Sequence, residues 1–270
     1  MLIIGAMKAG TTSLFQHLSQ HPQIASSSSK ELHFFSRDDH FAKGRDWYLS
    51  HWSFDPSIHR IALEASPSYT TIPERPRTVE RIASFGGSFR FIYLLRDPIE
   101  RIESHYAHEL KKGHVRDLSV ELPTYWIDRS KYAMQLSRYL ERFPRSKMLL
   151  LDFDELRQSP ESLLKKACGF MGVDAAFDFM GASVKHNVSR RDHPAVRFLW
   201  KQAWARRVAK LVPVPVKQTI RLALSSDLEV NPKLTPEQRR FAEHALADDV
   251  RRLRDEFGFD TSRWSVGRGA

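Results

Sequence analysis

The first fourteen residues constrain this chain more than any other stretch. An apolar run, Met1-Leu2-Ile3-Ile4, leads into Gly5-Ala6-Met7-Lys8-Ala9-Gly10, and Thr11-Thr12-Ser13-Leu14 follows with the spacing of a helix start. That order predicts a strand, a tight loop and a helix N-terminus. The two glycines permit sharp backbone geometry. The amides that a first helical turn leaves without intrahelical partners, the positive end of the helix dipole and the Lys8 ammonium then converge on one small volume. A phosphate fits such a volume. A Walker A loop places its lysine directly after the last glycine and ahead of Ser or Thr. Here Lys8 precedes Gly10 and the threonines follow it, which disfavours an ordinary ATPase or kinase. On this segment alone a plain strand-to-helix turn remains the alternative.

Further along, apolar runs place three more strands. Ile61-Ala62-Leu63-Glu64 is one, with the turn Ala65-Ser66-Pro67-Ser68-Tyr69 directly after it. The stretch 89–95 is nearly continuous in large apolar residues, as expected of a parallel strand covered on both faces, and it delivers Arg96-Asp97-Pro98 to the sheet edge. Met148-Leu149-Leu150-Leu151 is the fourth. Helical patterns fall over 13–21, 73–85, 99–110, 130–143 and 162–170, with a polar loop over 111–123. The prediction is a three-layer α/β domain with a central mainly parallel sheet built on segments beginning near Leu2, Ile61, Phe89 and Met148. Thr235-Pro236-Glu237-Gln238 marks the start of a late helix running through Leu253, and a tail with Gly258 and Trp264 is expected to pack back. No repeat or long low-complexity linker divides the chain. A single domain over 1–270, with a C-terminal helical portion on its core, is therefore expected.

Composition narrows the function classes. A formal charge of +10 implies attraction to polyanions or to an anionic cofactor. The basic residues are scattered, without a recognition motif or zinc-finger spacing, so no specific nucleic-acid partner is expected. Cys168 is the only cysteine, which removes a disulfide framework and a thiolate metal cluster. The apolar start is too short for a signal peptide or a membrane span, and a cytoplasmic setting is expected.

The residues that carry chemistry lie at the predicted strand ends. In Lys30-Glu31-Leu32-His33-Phe34-Phe35, Glu31 is a candidate general base, or else it pairs with Lys30 while His33 serves structure. Glu64 ends a strand and is expected to face the crevice where open α/β sheets bind ligands. Arg96 can grip a phosphate through its planar donor fork and Ser104 can add a hydroxyl from the next helix. The alternative for Arg96 is a salt bridge to Asp97 or another carboxylate, and charge alone does not choose between Arg96 and Arg101. The polar and aromatic stretch 37–52 either covers a ligand or caps the core. Asp152-Phe153-Asp154 lacks a His or Cys set and is assigned no metal, and Cys168 is expected to pack rather than react. A loop over 184–194 can close over an anion or stay solvated, and the basic helix expected over 196–211 can meet a polyanion or a membrane surface.

Four motifs in order, Gly5-Ala6-Met7-Lys8-Ala9-Gly10-Thr11-Thr12-Ser13, Lys30-Glu31-Leu32-His33-Phe34-Phe35, Glu64-Ala65-Ser66-Pro67-Ser68-Tyr69 and Leu95-Arg96-Asp97-Pro98-Ile99-Glu100-Arg101 with Ser104, resemble the signature of sulfotransferases. These enzymes use 3'-phosphoadenosine 5'-phosphosulfate (PAPS) and release adenosine 3',5'-bisphosphate. The likeness is to the heparan-sulfate-type N- and O-sulfotransferases and their bacterial relatives, and Asp46-Trp47-Tyr48 strengthens it. The resemblance implies a P-loop-like sulfotransferase fold. It implies that Lys8, Ala9, Gly10, Thr11, Thr12 and Ser13 hold the 5'-phosphosulfate and that Arg96 and Ser104 hold the 3'-phosphate. Glu31 becomes the catalytic base, His33 its supporting neighbour and Lys8 a catalytic cation, with no metal required. Asn187-Val188-Ser189-Arg190-Arg191 approximates the family's later basic turn and adds Ser189, Arg190 and Arg191 to the cofactor contacts. Ala65 stands where the polysaccharide enzymes commonly carry lysine, which leaves the acceptor open among a small alcohol, phenol, amine, glycolipid or polysaccharide. The competing functions are a P-loop phosphotransferase and a noncatalytic nucleotide- or polyanion-binding module.

Overall fold

Five strands organise the molecule: β1 (Leu2–Gly5), β2 (Ile24–Ser26), β3 (Ile61–Ala65), β4 (Phe91–Leu95) and β5 (Met148–Asp152), in the order β2-β3-β1-β4-β5. Every pairing is parallel, as the apolar runs led us to expect. All residues of β1 and β4 are buried, the signature of strands covered on both faces. The structure is a computed structural model. It describes residues 1–115, 122–179 and 232–267, with the backbone of two short antiparallel strands, β6 (Arg191–Asp192) and β7 (Ser225–Ser226).

Helices flank the sheet in two groups. α1 (Thr11–Leu18) packs on β3 and on α9 (Pro160–Met171), which also covers β5 together with α8 (Phe153–Gln158). On α5 (Pro98–Lys112), α6 (Thr124–Asp128) and α7 (Tyr132–Leu140) lies the long α10 (Pro236–Phe257). The short α2 (Asp38–Phe41), α3 (Gly44–Leu49) and α4 (Thr78–Ser84) fill the β2–β4 crossovers. α10 begins as its sequence dictates, with a complete Thr235/Gln238 capping box and Pro236 in the first turn, and ends on a left-handed Gly258.

Carboxylates fasten the C-terminal part. Asp249 of α10 accepts from the Ala133 and Met134 amides at 2.9 and 2.8 Å and so caps α7 from outside. Glu103 of α5 accepts from Lys233 Nζ at 2.7 Å, and Asp97, the N-cap of α5, also accepts from the Ser265 amide at 2.5 Å. Trp264 packs back as expected, 1% exposed and with its ring 5.7 Å from that of Tyr132.

The order of strands places the site. The chain leaves central β1 for the β2 edge, returns through β3, then crosses to β4 and β5 on the other side. β1 is therefore a switch point, and the loops after β1, β3, β4 and β5 open at one edge. The structure departs from the sequence reading at three points. Ile24–Ser26, which its pattern did not mark as a strand, is β2, because its three residues find the free edge of β3. The expected loop from 111 starts later, since α5 runs on through Lys112 to a left-handed Gly113. The helix expected over 162–170 is longer at both ends, running from Pro160 to Met171 before a left-handed Gly172 ends it.

Candidate active site

The phosphate loop is built by β1 and α1. Ala6 donates to the Leu94 carbonyl at 2.7 Å, Ala9 to the Ala6 carbonyl at 3.1 Å, and Gly10 serves as N-cap of α1 with φ +87° and no side-chain cap. Gly10 thus brings no side chain onto the first turn of α1, the end of a helix that suits an anion. The loop also requires its glycines for space. A Cβ on Gly5 would collide with Thr70 Oγ1 and lie 2.8 Å from the Tyr93 ring, and one on Gly10 would lie 2.9 Å from the Phe153 ring. Lys8 has φ +71°, a left-handed conformation that costs an L-residue energy and is kept where surrounding contacts enforce it. Burial first, then the charges of Lys111, Arg96 and Lys112, lower the Lys8 pKa to about 8.

The second anion motif touches the first. Arg96 Nη1 donates to the Lys8 carbonyl at 3.3 Å, although the two residues are far apart in sequence. The rest of the Arg96 fork rests on Glu100, with Nη2 and Nε donating to Oε2 at 2.9 and 3.2 Å. Asp97 is occupied as helix cap, so the salt-bridge partner is Glu100. The Arg96 guanidinium lies 4.7 Å from the centroid of the Phe153 ring, and Tyr132 donates to the Arg96 carbonyl at 2.8 Å. Arg101 is excluded as the phosphate ligand. It is 0% exposed, donating to Ser130 Oγ and the Trp126 carbonyl, and burial holds its pKa down to about 10. Ser104 is half-buried on α5, two turns beyond the helix start.

The Lys30-to-Phe35 segment adopts no regular structure and is hung on the β3 turn. Glu31 N–H donates to the Ala65 carbonyl at 2.9 Å, His33 N–H to Ser66 Oγ at 3.1 Å and Phe35 N–H to Tyr69 Oη at 3.4 Å. Phe34 and Phe35 lock it from below, 4.5 and 5.1 Å from the Tyr48 ring. Glu31 and His33 have φ +66° and +52°, and with Lys8 they are the non-glycine residues of positive φ among the described residues. Glu31 Oε1 accepts from Lys30 Nζ at 2.6 Å, and Oε2 lies 3.6 Å from His33 Nε2. Burial pushes the Glu31 carboxyl up, but the Lys30 hydrogen bond and charge, with His33 and Lys112, outweigh it, and the pKa lies below the ordinary value. The His33 imidazole is lowered by burial, against the opposing charge of Glu31.

Glu64 does not face the crevice. It is 0% exposed beneath it, where its carboxylate accepts from Tyr48, Ser66 and Tyr69 hydroxyls at 2.7, 2.7 and 2.6 Å. Ser66 and Tyr69 in turn receive the His33 and Phe35 amides, so Glu64 anchors the turn that shapes the Glu31 segment. The aromatic stretch from 37 to 52 mainly caps the core, with Tyr48 4% exposed.

Two contributions went unread in the sequence. On α5, His108 follows Ser104 by four residues and Lys112 follows His108 by four, one helical face aimed at the site. Lys112 and Lys111 act on Lys8, Lys112 also on Glu31, and His108 feels both Lys8 and Glu31. Burial, Lys8 and Lys112 lower the His108 pKa to about 4. That spacing was visible in the sequence; what it faced was not. The Phe153 ring, between Gly10 and Arg96, had no sequence signal beyond its place after a strand. Ser189, Arg190, the side chain of Arg191 and the basic helix over 196–211 lie outside the described residues. Cys168 is buried and its thiol is raised to about 11, first by burial. Among the described residues no group of three His, Cys, Asp or Glu side chains is placed to hold a metal ion, and no helix is long and apolar enough to cross a membrane.

The sulfotransferase-domain family model matches residues 1–245. Mouse heparan sulfate glucosamine 3-O-sulfotransferase 5 is 30% identical over 174 residues, covering 59% of this chain and 49% of that protein. Human bifunctional heparan sulfate N-deacetylase/N-sulfotransferase 3 is 27% identical over 206 residues, covering 67% of this chain and 23% of that protein. The chain therefore spans about half the length of the first relative and under a quarter of the second. The crystal structure of a sulfotransferase from Alicyclobacillus acidocaldarius superposes with a TM-score of 0.67 over 97% of both chains at 22% identity, a likeness of fold.

Proposed function

Because the chain belongs to the sulfotransferase family, we propose that it transfers the sulfuryl group of PAPS, by in-line displacement, to a hydroxyl or amine, with Glu31 as general base. The observation that carries this reading is the Arg96–Lys8 contact, which joins two anion-binding motifs 88 positions apart into one site beside Glu31. A doubly phosphorylated nucleoside suits that donor set. Lys8 and the first turn of α1 would hold the 5' end, and Arg96 and Ser104 the 3'-phosphate. When bound, the donor supplies an activated sulfuryl group on a phosphate leaving group.

The chain's own residues do the rest. As the bond from the acceptor oxygen or nitrogen to sulfur forms, the bond from sulfur to the 5'-phosphate oxygen breaks, and negative charge grows beside Lys8. An ammonium fixed there stabilises that charge in the transition state more than in the ground state. Glu31, held below the ordinary carboxylate pKa by Lys30 above all and also by Lys112, is ionised at neutral pH and takes the acceptor's proton. Those same two cations favour an acceptor that carries negative charge next to its reacting group, and relatives named for heparan sulfate agree with that preference.

The test is transfer from sulfur-labelled donor to a panel of sulfated and desulfated glycans, lipids and small alcohols, at low and high salt. Glu31→Gln should lower turnover about a hundredfold while retaining binding of adenosine 3',5'-bisphosphate by calorimetry. Near-normal turnover by this variant, with chemistry rate-limiting, rejects Glu31 as base, and labelled phosphate transfer from ATP with magnesium would replace the reading by a phosphotransferase.

A further inference from the structure

Behind the Glu31–His33 pair the hydroxyls of Ser68 and Ser36 form a short chain. Ser36 Oγ lies 3.2 Å from the His33 carbonyl oxygen, Ser68 Oγ lies 2.7 Å from Ser36 Oγ, and His33 Nδ1 lies 2.7 Å from Ser68 Oγ. Each serine hydroxyl has one proton to give. The His33 carbonyl, which also accepts the Ser36 and Arg37 amides at 3.2 and 3.0 Å, can only accept, so in its bond to this carbonyl Ser36 Oγ is the donor. The Ser36–Ser68 bond then takes its proton from Ser68, and the last bond takes its proton from Nδ1. We propose that this hydroxyl chain fixes His33 in the Nδ1–H tautomer and so leaves Nε2, 3.6 Å from Glu31 Oε2, as a second proton acceptor on the volume that the acceptor group must enter. Ser68 and Ser36 are positioning residues. Their effect passes through the imidazole.

The arrangement is well supported from around it. Ser36 is 4% exposed, His33 N–H is held by Ser66 Oγ, and Ser66 is held by Glu64, so the ring's backbone is fixed as well as its tautomer. The charged and titratable groups acting on the ring are Glu31, Lys30, Arg37 and His40 on its own segment, and Lys112 and His108 of α5 interact with Glu31. Two lone-pair acceptors 3.6 Å apart, neither donating to the other, both face the volume the acceptor enters, which gives the acceptor's proton a second place to go beside Glu31. In the other tautomer Nε2–H would point at the Glu31 carboxylate and compete with the acceptor for it.

This inference rests on the sulfuryl-transfer reading for its consequence, but its test does not. The full chain, labelled with nitrogen-15 histidine and saturated with adenosine 3',5'-bisphosphate, is examined by NMR above pH ~7, where a lowered imidazole is neutral. His33→Asn identifies the His33 signals among those of the 12 histidines. Nε2 of His33 should be pyridine-like in the parent chain and in Ser68→Thr, and should become predominantly protonated in both Ser68→Ala and Ser36→Ala. Either alanine variant suffices should the other fail to bind the bisphosphate. With an acceptor in hand, Ser68→Ala should lower kcat about tenfold or more, with donor affinity changed less than about twofold, and Ser68→Thr should restore it. A protonated Nε2 in the parent chain, or alanine variants with an unchanged tautomer, overturns the proposal. The expected tautomers in a chain that transfers no sulfuryl group would instead sink the function and leave the relay standing.

Discussion

Gly10→Ala isolates the physical demand of the phosphate loop. The residue sits at φ +87°, where an L-side chain pays about 1–2 kcal/mol that glycine does not. The new Cβ would also stand 2.9 Å from two carbons of the Phe153 ring and 3.3 Å from Leu156 Cδ2. Forcing a half-buried ring aside costs about 1–3 kcal/mol, so the whole change is worth about 2–5 kcal/mol. For a chain of this size that lowers Tm by roughly 4–9 °C in scanning calorimetry. Because the displaced ring is the one against Arg96, adenosine 3',5'-bisphosphate binding should weaken about tenfold by titration calorimetry. The two costs separate in a double-mutant cycle with Phe153→Leu. Removing the ring should recover the steric part, a coupling of about 1–3 kcal/mol, and leave the backbone part. An unchanged Tm in Gly10→Ala, or additivity within about 0.5 kcal/mol in the cycle, would refute the reasoning.

Arg96→Ala should erase the preference for adenosine 3',5'-bisphosphate over an analogue lacking the 3'-phosphate, and equal binding of the two by the parent chain would remove Arg96 from that role. Glu100→Gln frees the Arg96 fork from an exposed pair one helical turn away, worth about 0.3–0.5 kcal/mol, so bisphosphate affinity should rise no more than about twofold. A larger gain would mean that Glu100 gates the site. The Lys8 pKa is lowered to about 8 in the free protein, so stability gains from this group as pH rises from about 8 towards the ordinary lysine value. Binding a phosphate demands the ammonium, so bisphosphate affinity should decline above pH ~8, by up to about tenfold per pH unit, and Lys8→Met should flatten the profile. Affinity that stays level across that range in the parent chain contradicts a Lys8 contact.

Much of this protein is written locally. The run Met1-Leu2-Ile3-Ile4, the loop to Gly10 and the threonines after it announce strand, anion loop and helix within one short segment, because apolar pattern, glycine placement and helix-start residues are local signals, while the strands that β1 pairs with and the rings that crowd its glycines are distant in sequence. The capping box at Thr235, the buried run of β4 and the Asp97-Pro98 helix start are legible for the same reason. Side chains whose meaning depends on a distant partner were not. Sequence alone could not choose between Arg96 and Arg101, which carry the same charge on neighbouring turns; packing against Trp126 and Ser130 buried one and left the other on the Lys8 carbonyl. Ile24–Ser26 is too short to announce a strand and becomes one only by pairing with β3. Glu64 ends its strand as predicted, yet the hydroxyls of Tyr48, Ser66 and Tyr69 turn it from a crevice ligand into a buried anchor. The role of Ser68 depends on a histidine 35 positions earlier, and that of Phe153 on a glycine and an arginine brought to it by parallel strands. Local propensity determined the elements and the chemistry each could offer, and the order of strands, which no single segment encodes, decided which of those offers meet.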